Sequence, residues 1–167
     1  MLPYPSAVRR LGLLALVAVV SACGSSAHTA ATTTTVPKPG PGEVVYQGLE
    51  WSVVVDHGKA KALRLLNGSW MPDTSKAVHI AILGPKPNSK TPATPQVAAE
   101  MTGNTPLVES ALWVDGQELL EKGGGLTPKR GTIYGAPAKA LAPGKHVAVA
   151  YARTATHAAA VAWTFRV

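Results

Sequence analysis

The 167-residue chain divides into three stretches by the way its apolar and polar positions alternate. From Glu43 onward, short apolar or β-branched runs are broken by Gly, Pro, Asn and Asp at intervals of roughly ten residues, the spacing of a sandwich or barrel. No long segment there repeats its apolar positions with the helical period. Val44-Val45-Tyr46, residues 51–55, residues 61–66 and Ser69-Trp70 read as a small meander, with turn signals at Asp56-His57-Gly58 and Asn67-Gly68. A second set follows at residues 78–83, 96–101, 112–114, 117–119, 132–134, 146–153 and 161–167. Asp115-Gly116 and Pro143-Gly144 are turns within it, and Gly123-Gly124-Gly125 breaks the chain. In the last run Trp163, Phe165 and Val167 alternate with Thr164 and Arg166, the period of a half-buried strand. Two or three strands alone are marginal in water, so residues 43–75 are expected to pack on the domain formed by residues 76–167, or to cap one of its edges.

Upstream of Glu43 the pattern is different. Arg9 and Arg10 precede an unbroken apolar run over residues 11–20, then Ser21, Ala22 and Cys23. Ten residues rise only about 15 Å as a helix, too short for hydrocarbon roughly 30 Å thick, so residues 1–22 read as a cleaved leader and not a membrane span. Val20-Ser21-Ala22-Cys23 resembles the lipobox of bacterial lipoproteins: an aliphatic residue, two small residues and a cysteine. That resemblance implies a diacylglycerol on the Cys23 thiol, cleavage before Cys23, and retention on the extracytoplasmic face of the cell membrane by acyl chains. Residues 23–42 carry four consecutive threonines, Thr32 to Thr35, and Pro37, Pro39 and Pro41. This composition cannot bury enough apolar surface to offset its ordering entropy and reads as an extended tether.

The second set of strands is similar to the bacterial immunoglobulin-like domains of surface and cell-wall proteins. Ile80-Ala81-Ile82-Leu83-Gly84-Pro85-Lys86-Pro87 resembles their first strand and its proline-rich exit. Leu112-Trp113-Val114-Asp115-Gly116 resembles the central strand and turn, and Leu141 to Val147 with Trp163 to Val167 the final hairpin. The implied fold is all-β, an immunoglobulin-like β-sandwich preceded by a short N-terminal β-meander. His146 stands where such folds often place a corner tyrosine, which implies a ring-to-backbone hydrogen bond. The last turn departs from many relatives, with Thr154-Ala155-Thr156-His157 in place of an Asp and Gly-Asn pattern. Similar domains precede a catalytic L,D-transpeptidase domain on some lipid-anchored chains. That chemistry needs a cysteine nucleophile, and the single cysteine here is committed to the lipobox, so the kinship concerns the non-catalytic part.

Composition sharpens this picture in three ways. One cysteine excludes an intramolecular disulfide and a cysteine-rich metal site. Hydrophobic residues are 46% of the chain but aromatics only 5%, so the core must be built largely from small side chains. The formal charge is +7, and removal of the leader with Arg9 and Arg10 leaves a balance of about +5. The basic residues are scattered without interleaved aromatics, which argues against nucleic acid and leaves a solubilising surface or a weak attraction to anionic phospholipid or cell-wall polymer.

Catalytic motifs are wanting. The five histidines, His28, His57, His79, His146 and His157, show no zinc-binding spacing. Asp56-His57 is a turn, Asn67-Gly68-Ser69-Trp70 does not form a nucleophile elbow, and the glycine triplet lacks the Lys-Ser/Thr of a phosphate cradle. Glu118 and Glu121 fall on a strand end and loop, a poor setting for paired acid–base work. Neither a metal nor a cofactor is expected. Trp113 and Trp163 read as core residues. Trp51, Trp70 and Tyr134 are candidates for a binding surface, although Trp51 and Trp70 also suit the junction between meander and sandwich. The resulting expectation is a non-enzymatic, membrane-anchored module that binds or spaces a cell-envelope protein or polymer. A small-ligand carrier or an enzyme with an unrecognised site is the alternative.

Overall fold

A computed structural model describes Pro39 and residues 42–119 and 124–167. The leader, the lipobox with Cys23, and the tether apart from Pro39 and Gly42 lie outside the described residues.

Among the described residues, twelve strands form three four-stranded antiparallel sheets. The first is the meander β1 (Glu43–Gln47), β2 (Trp51–Asp56), β3 (Lys59–Leu66) and β4 (Ser69–Pro72), in sequential order. His57-Gly58 and Asn67-Gly68 both have positive φ at the two central positions, the type I′ geometry that matches the twist of flanking strands. A register shift between Val44 and Tyr46 puts a bulge in β1, and Val45 and Tyr46 both pack against the apolar layer beneath the meander.

The second sheet runs β5 (Val78–Gly84), β6 (Val97–Gly103), β10 (Arg130–Gly135) and β9 (Gly124–Thr127). The third runs β12 (Ala158–Arg166), β11 (Lys145–Thr154), β7 (Leu107–Val114) and β8 (Gln117–Glu118). Of the eight strands β5 to β12, the first, second, sixth and fifth form one sheet and the eighth, seventh, third and fourth the other, the division of strands between the two sheets of an immunoglobulin sandwich. The fold is therefore an immunoglobulin-like β-sandwich. After β5 the chain crosses to the third sheet, where Lys90 bridges Arg166 in parallel. There Asn88 N donates to Thr164 O at 2.6 Å and Thr91 N to Arg166 O at 2.8 Å, so the C-terminal half of β12 does not present a bare edge.

The third sheet is buried on both faces. On one, Leu112, Val114, Ala148, Ala150, Ala152, Trp163 and Phe165 meet Val97, Ala99, Met101 and Ile133 of the second sheet. On the other, Ala111, Trp113, Val149, Tyr151 and Ala158 meet Trp51, Val53 and Ala62 of the meander. The described residues thus form three sheet layers with two cores between them. A strand covered on both sides carries apolar residues at consecutive positions, which accounts for the alanine- and valine-rich run of β11 and β12.

Some boundaries differ from the sequence reading. β7 begins at Leu107 and β12 at Ala158, each earlier than expected. β9 begins inside the glycine triplet, where the sequence reading places a break in the chain. In the β11–β12 turn, Thr154 N donates to His157 O at 2.8 Å, and the fully buried Thr154 hydroxyl oxygen accepts from His157 N at 3.1 Å. A side chain here closes a turn that carries no glycine.

Candidate functional site

The three aromatic residues expected at a surface are not brought together. Trp51 is corrected: it is only 3% exposed and belongs to the core between the meander and the third sheet. Its place opposite Ala62, Trp113 and Val149 follows from β2 being a central strand of the meander, which lays one face on the sandwich. It occupies the junction and cannot serve as an exposed sugar platform. Trp70 is half-buried on β4 and pairs with Leu65, whereas Trp51 pairs with Arg64 one position along β3. Successive residues of a strand face opposite ways, so the two indoles lie on opposite faces of the meander. Tyr134, half-buried on β10, lines a cleft of about 460 Å³ with Gln96, Glu118, Leu119 and Pro137. Trp113 and Trp163 are both buried in the cores.

His146 donates from Nε2 to the Ala142 carbonyl at 2.8 Å, a backbone contact of the kind a corner residue makes. Its Nδ1 lies 2.7 Å from Asp115 Oδ2. His57 and Asp56 touch at 2.6 Å in an exposed turn. Among the described residues no group of three or more His, Cys, Asp or Glu is placed to hold a metal ion.

The richest surface lies elsewhere, at one end of the meander. The chain enters β1 at Glu43, which pairs with Val55. At the far end of the same strand is the β1–β2 loop, where Leu49 is 80% exposed. Leu65 N donates to Glu50 O at 2.8 Å, continuing the Trp51–Arg64 register and bringing that loop beside Leu66, which is 46% exposed. Met71, paired with Arg64 on the next strand, is 52% exposed. Three of the five large apolar side chains exposed among the described residues therefore share this end, opposite to where the chain enters.

Two clefts open there. One, of about 320 Å³, runs between β3–β4 and the β11–β12 turn and is lined by Arg64, Leu66, Met71, Asp73 and His157. The other, of about 280 Å³, is lined by Tyr46, Leu49, Trp51, Glu109 and Arg153. Tyr46 OH donates to Glu109 Oε1 at 3.0 Å, and Arg153 Nε donates to Glu109 Oε2, so a charged link ties meander to sandwich. Burial first, and then the bond to Glu109, raise the Tyr46 pKa and keep the phenol protonated at neutral pH. Tyr151, packed 5.7 Å from the Tyr46 ring, has its pKa raised mainly by burial. These groups tie the meander to the third sheet. Sequence reasoning missed this end because its apolar residues are isolated in the chain and only strand pairing assembles them.

No family model matches the chain, and no curated protein matches it. Among solved structures, a tandem of titin immunoglobulin domains is similar at a TM-score of 0.36 and 7% identity, covering 72% of this chain and 74% of that one. A likeness at that level adds nothing to the strand order described above.

Proposed function

We propose that the chain is exported, cut before Cys23 and held by lipid on the extracytoplasmic face of the cell membrane, where its folded part acts as a non-catalytic binding module for another envelope component. The observation that carries the binding role is the apolar end formed by Leu49, Leu66 and Met71, at 80%, 46% and 52% exposure, facing away from the end at which the chain enters. A passive spacer needs only a polar surface, whereas clustered exposed apolar groups rimmed by charge are typical of contact sites. The anchoring role is supported by the order of basic residues, apolar run, small residues and Cys23 in the sequence.

Metabolic labelling with a clickable fatty acid tests the anchor. Label should appear on the wild-type protein and vanish in Cys23→Ser, which should also leave the membrane fraction; an unlabelled wild-type protein overturns anchoring. A photo-crosslinking amino acid at Met71 should give a discrete adduct in intact cells, and the same group at exposed Lys86 should not. Equal or absent adducts at both positions would return the module to the role of a spacer.

A further inference from the structure

Arg64 lines the groove between β3–β4 and the β11–β12 turn. Its guanidinium carbon lies 5.3 Å from the centroid of the buried Trp51 ring, and Nη1 donates to the Thr156 carbonyl at 3.3 Å. A cation–π contact on one side and a backbone acceptor on the other restrict the fork. Among the described residues no carboxylate lies within ion-pair distance of it. The acid in the same groove is already committed: Asp73 accepts from Ser75 N and from Ala158 N, both at 2.8 Å, and faces His157 Nδ1 at 3.3 Å. With only 8% of its side chain exposed, Asp73 does not offer itself to Arg64. Leu66 and Met71 line the same groove and leave aliphatic surface uncovered.

Building on the assignment of this end as a binding surface, we propose that the groove receives an acidic, aliphatic segment of a partner protein, with Arg64 as its carboxylate receptor. A restrained guanidinium with unused donors matches the two oxygens of a carboxylate. Leu66 and Met71 supply contact for a neighbouring aliphatic side chain. The groove is open, about 320 Å³, and edged by the polar Thr74, Ser75 and Thr156, which suits a peptide better than a fatty acyl chain seeking an enclosed tunnel.

The test uses the chain from residue 23 onward carrying Cys23→Ser, labelled with nitrogen-15. An acetylated pentapeptide alternating leucine and aspartate is titrated while the Arg64 Nε–H and Trp51 indole signals are followed. Both signals, and the Leu66 and Met71 amides, should shift saturably. Affinity should be about tenfold weaker for the asparagine version of the peptide and equally weakened by Arg64→Gln. Arg64→Lys should not restore it, because the planar fork is lost. The same shifts with acetate alone at equal concentration would reduce the site to simple anion binding and overturn the proposal. Tighter binding of dodecanoate or of purified cell-wall polymer than of the peptide would overturn it as well, as would unchanged peptide affinity in Arg64→Gln. A Met71 crosslink in cells that survives Arg64→Gln would leave the binding module standing and refute the acidic partner.

Discussion

Asp115 and His146 hold the first turn of the final hairpin to the turn beside β7: Oδ2 of the aspartate lies 2.7 Å from His146 Nδ1, while its Oδ1 accepts from Val147 N at 2.9 Å. The second ring nitrogen faces the Ala142 carbonyl at 2.8 Å. Both nitrogens point at acceptors, so the doubly protonated ring satisfies both.

A pH dependence follows. The hydrogen bond to Asp115 raises the His146 pKa against the opposing pull of burial, with the Ala142 bond adding to it. The folded-state value therefore exceeds the unfolded one of about 6.5. The stabilisation is complete below the unfolded value and fades as pH climbs through the folded value. Thermal melts between pH 5 and 8 should show Tm falling on the alkaline side, and Asp115→Asn should flatten the slope. An identical slope in the variant would show that another group carries it.

Asp73 is the second fixed point, since its carboxylate caps Ala158 N at the start of β12 from the segment that leaves the meander. Ala158 is 1% exposed, so removing the acceptor leaves a buried donor without a partner. Asp73→Ala should cost about 1–3 kcal/mol, read as a lower urea midpoint at unchanged slope. Asp73→Asn, which keeps one acceptor oxygen, should lose less.

Trp51 separates packing from surface roles. Trp51→Ala should destabilise by about 3–5 kcal/mol, as expected for a buried indole between two sheets. Leu49→Ser, at a residue that is 80% exposed, should stay within about 0.5 kcal/mol of wild type while weakening the Met71 crosslink. Equal melting temperatures for Trp51→Ala and wild type would contradict the buried position.

Truncation tests the third layer. A fragment starting at Ser75 uncovers Trp113, Val149 and Tyr151 on the outer face of the third sheet. It should melt at lower temperature and aggregate in light scattering, since a broad apolar sheet face is an aggregation hazard. Unchanged melting and a monodisperse fragment would show that the meander is dispensable.

Turns and strand types were legible in the sequence because their signals are local. Asn67-Gly68 and Asp115-Gly116 need positive φ at both positions, and both have it. His146 found its backbone acceptor for the same kind of reason, a recurring corner in a recurring strand order. The two-sided burial of β11 was harder to read. Ala148 and Val149 face different cores, and apolar residues at consecutive positions from Val147 to Ala152 follow neither the period of a half-buried strand nor that of a helix. Residues 107–111 include Glu109 and Ser110, which masked the start of β7 until the long-range pairing with Arg153 and Ala152 was visible. The Arg64 groove draws on β2, β3, β4 and the β11–β12 turn, so no window of sequence contains it.

The strap of residues 88–91 along the end of β12 has a consequence for copies crowded side by side. Backbone groups already engaged within one molecule offer no template to the next, so along this stretch of β12 a neighbouring copy cannot extend the third sheet.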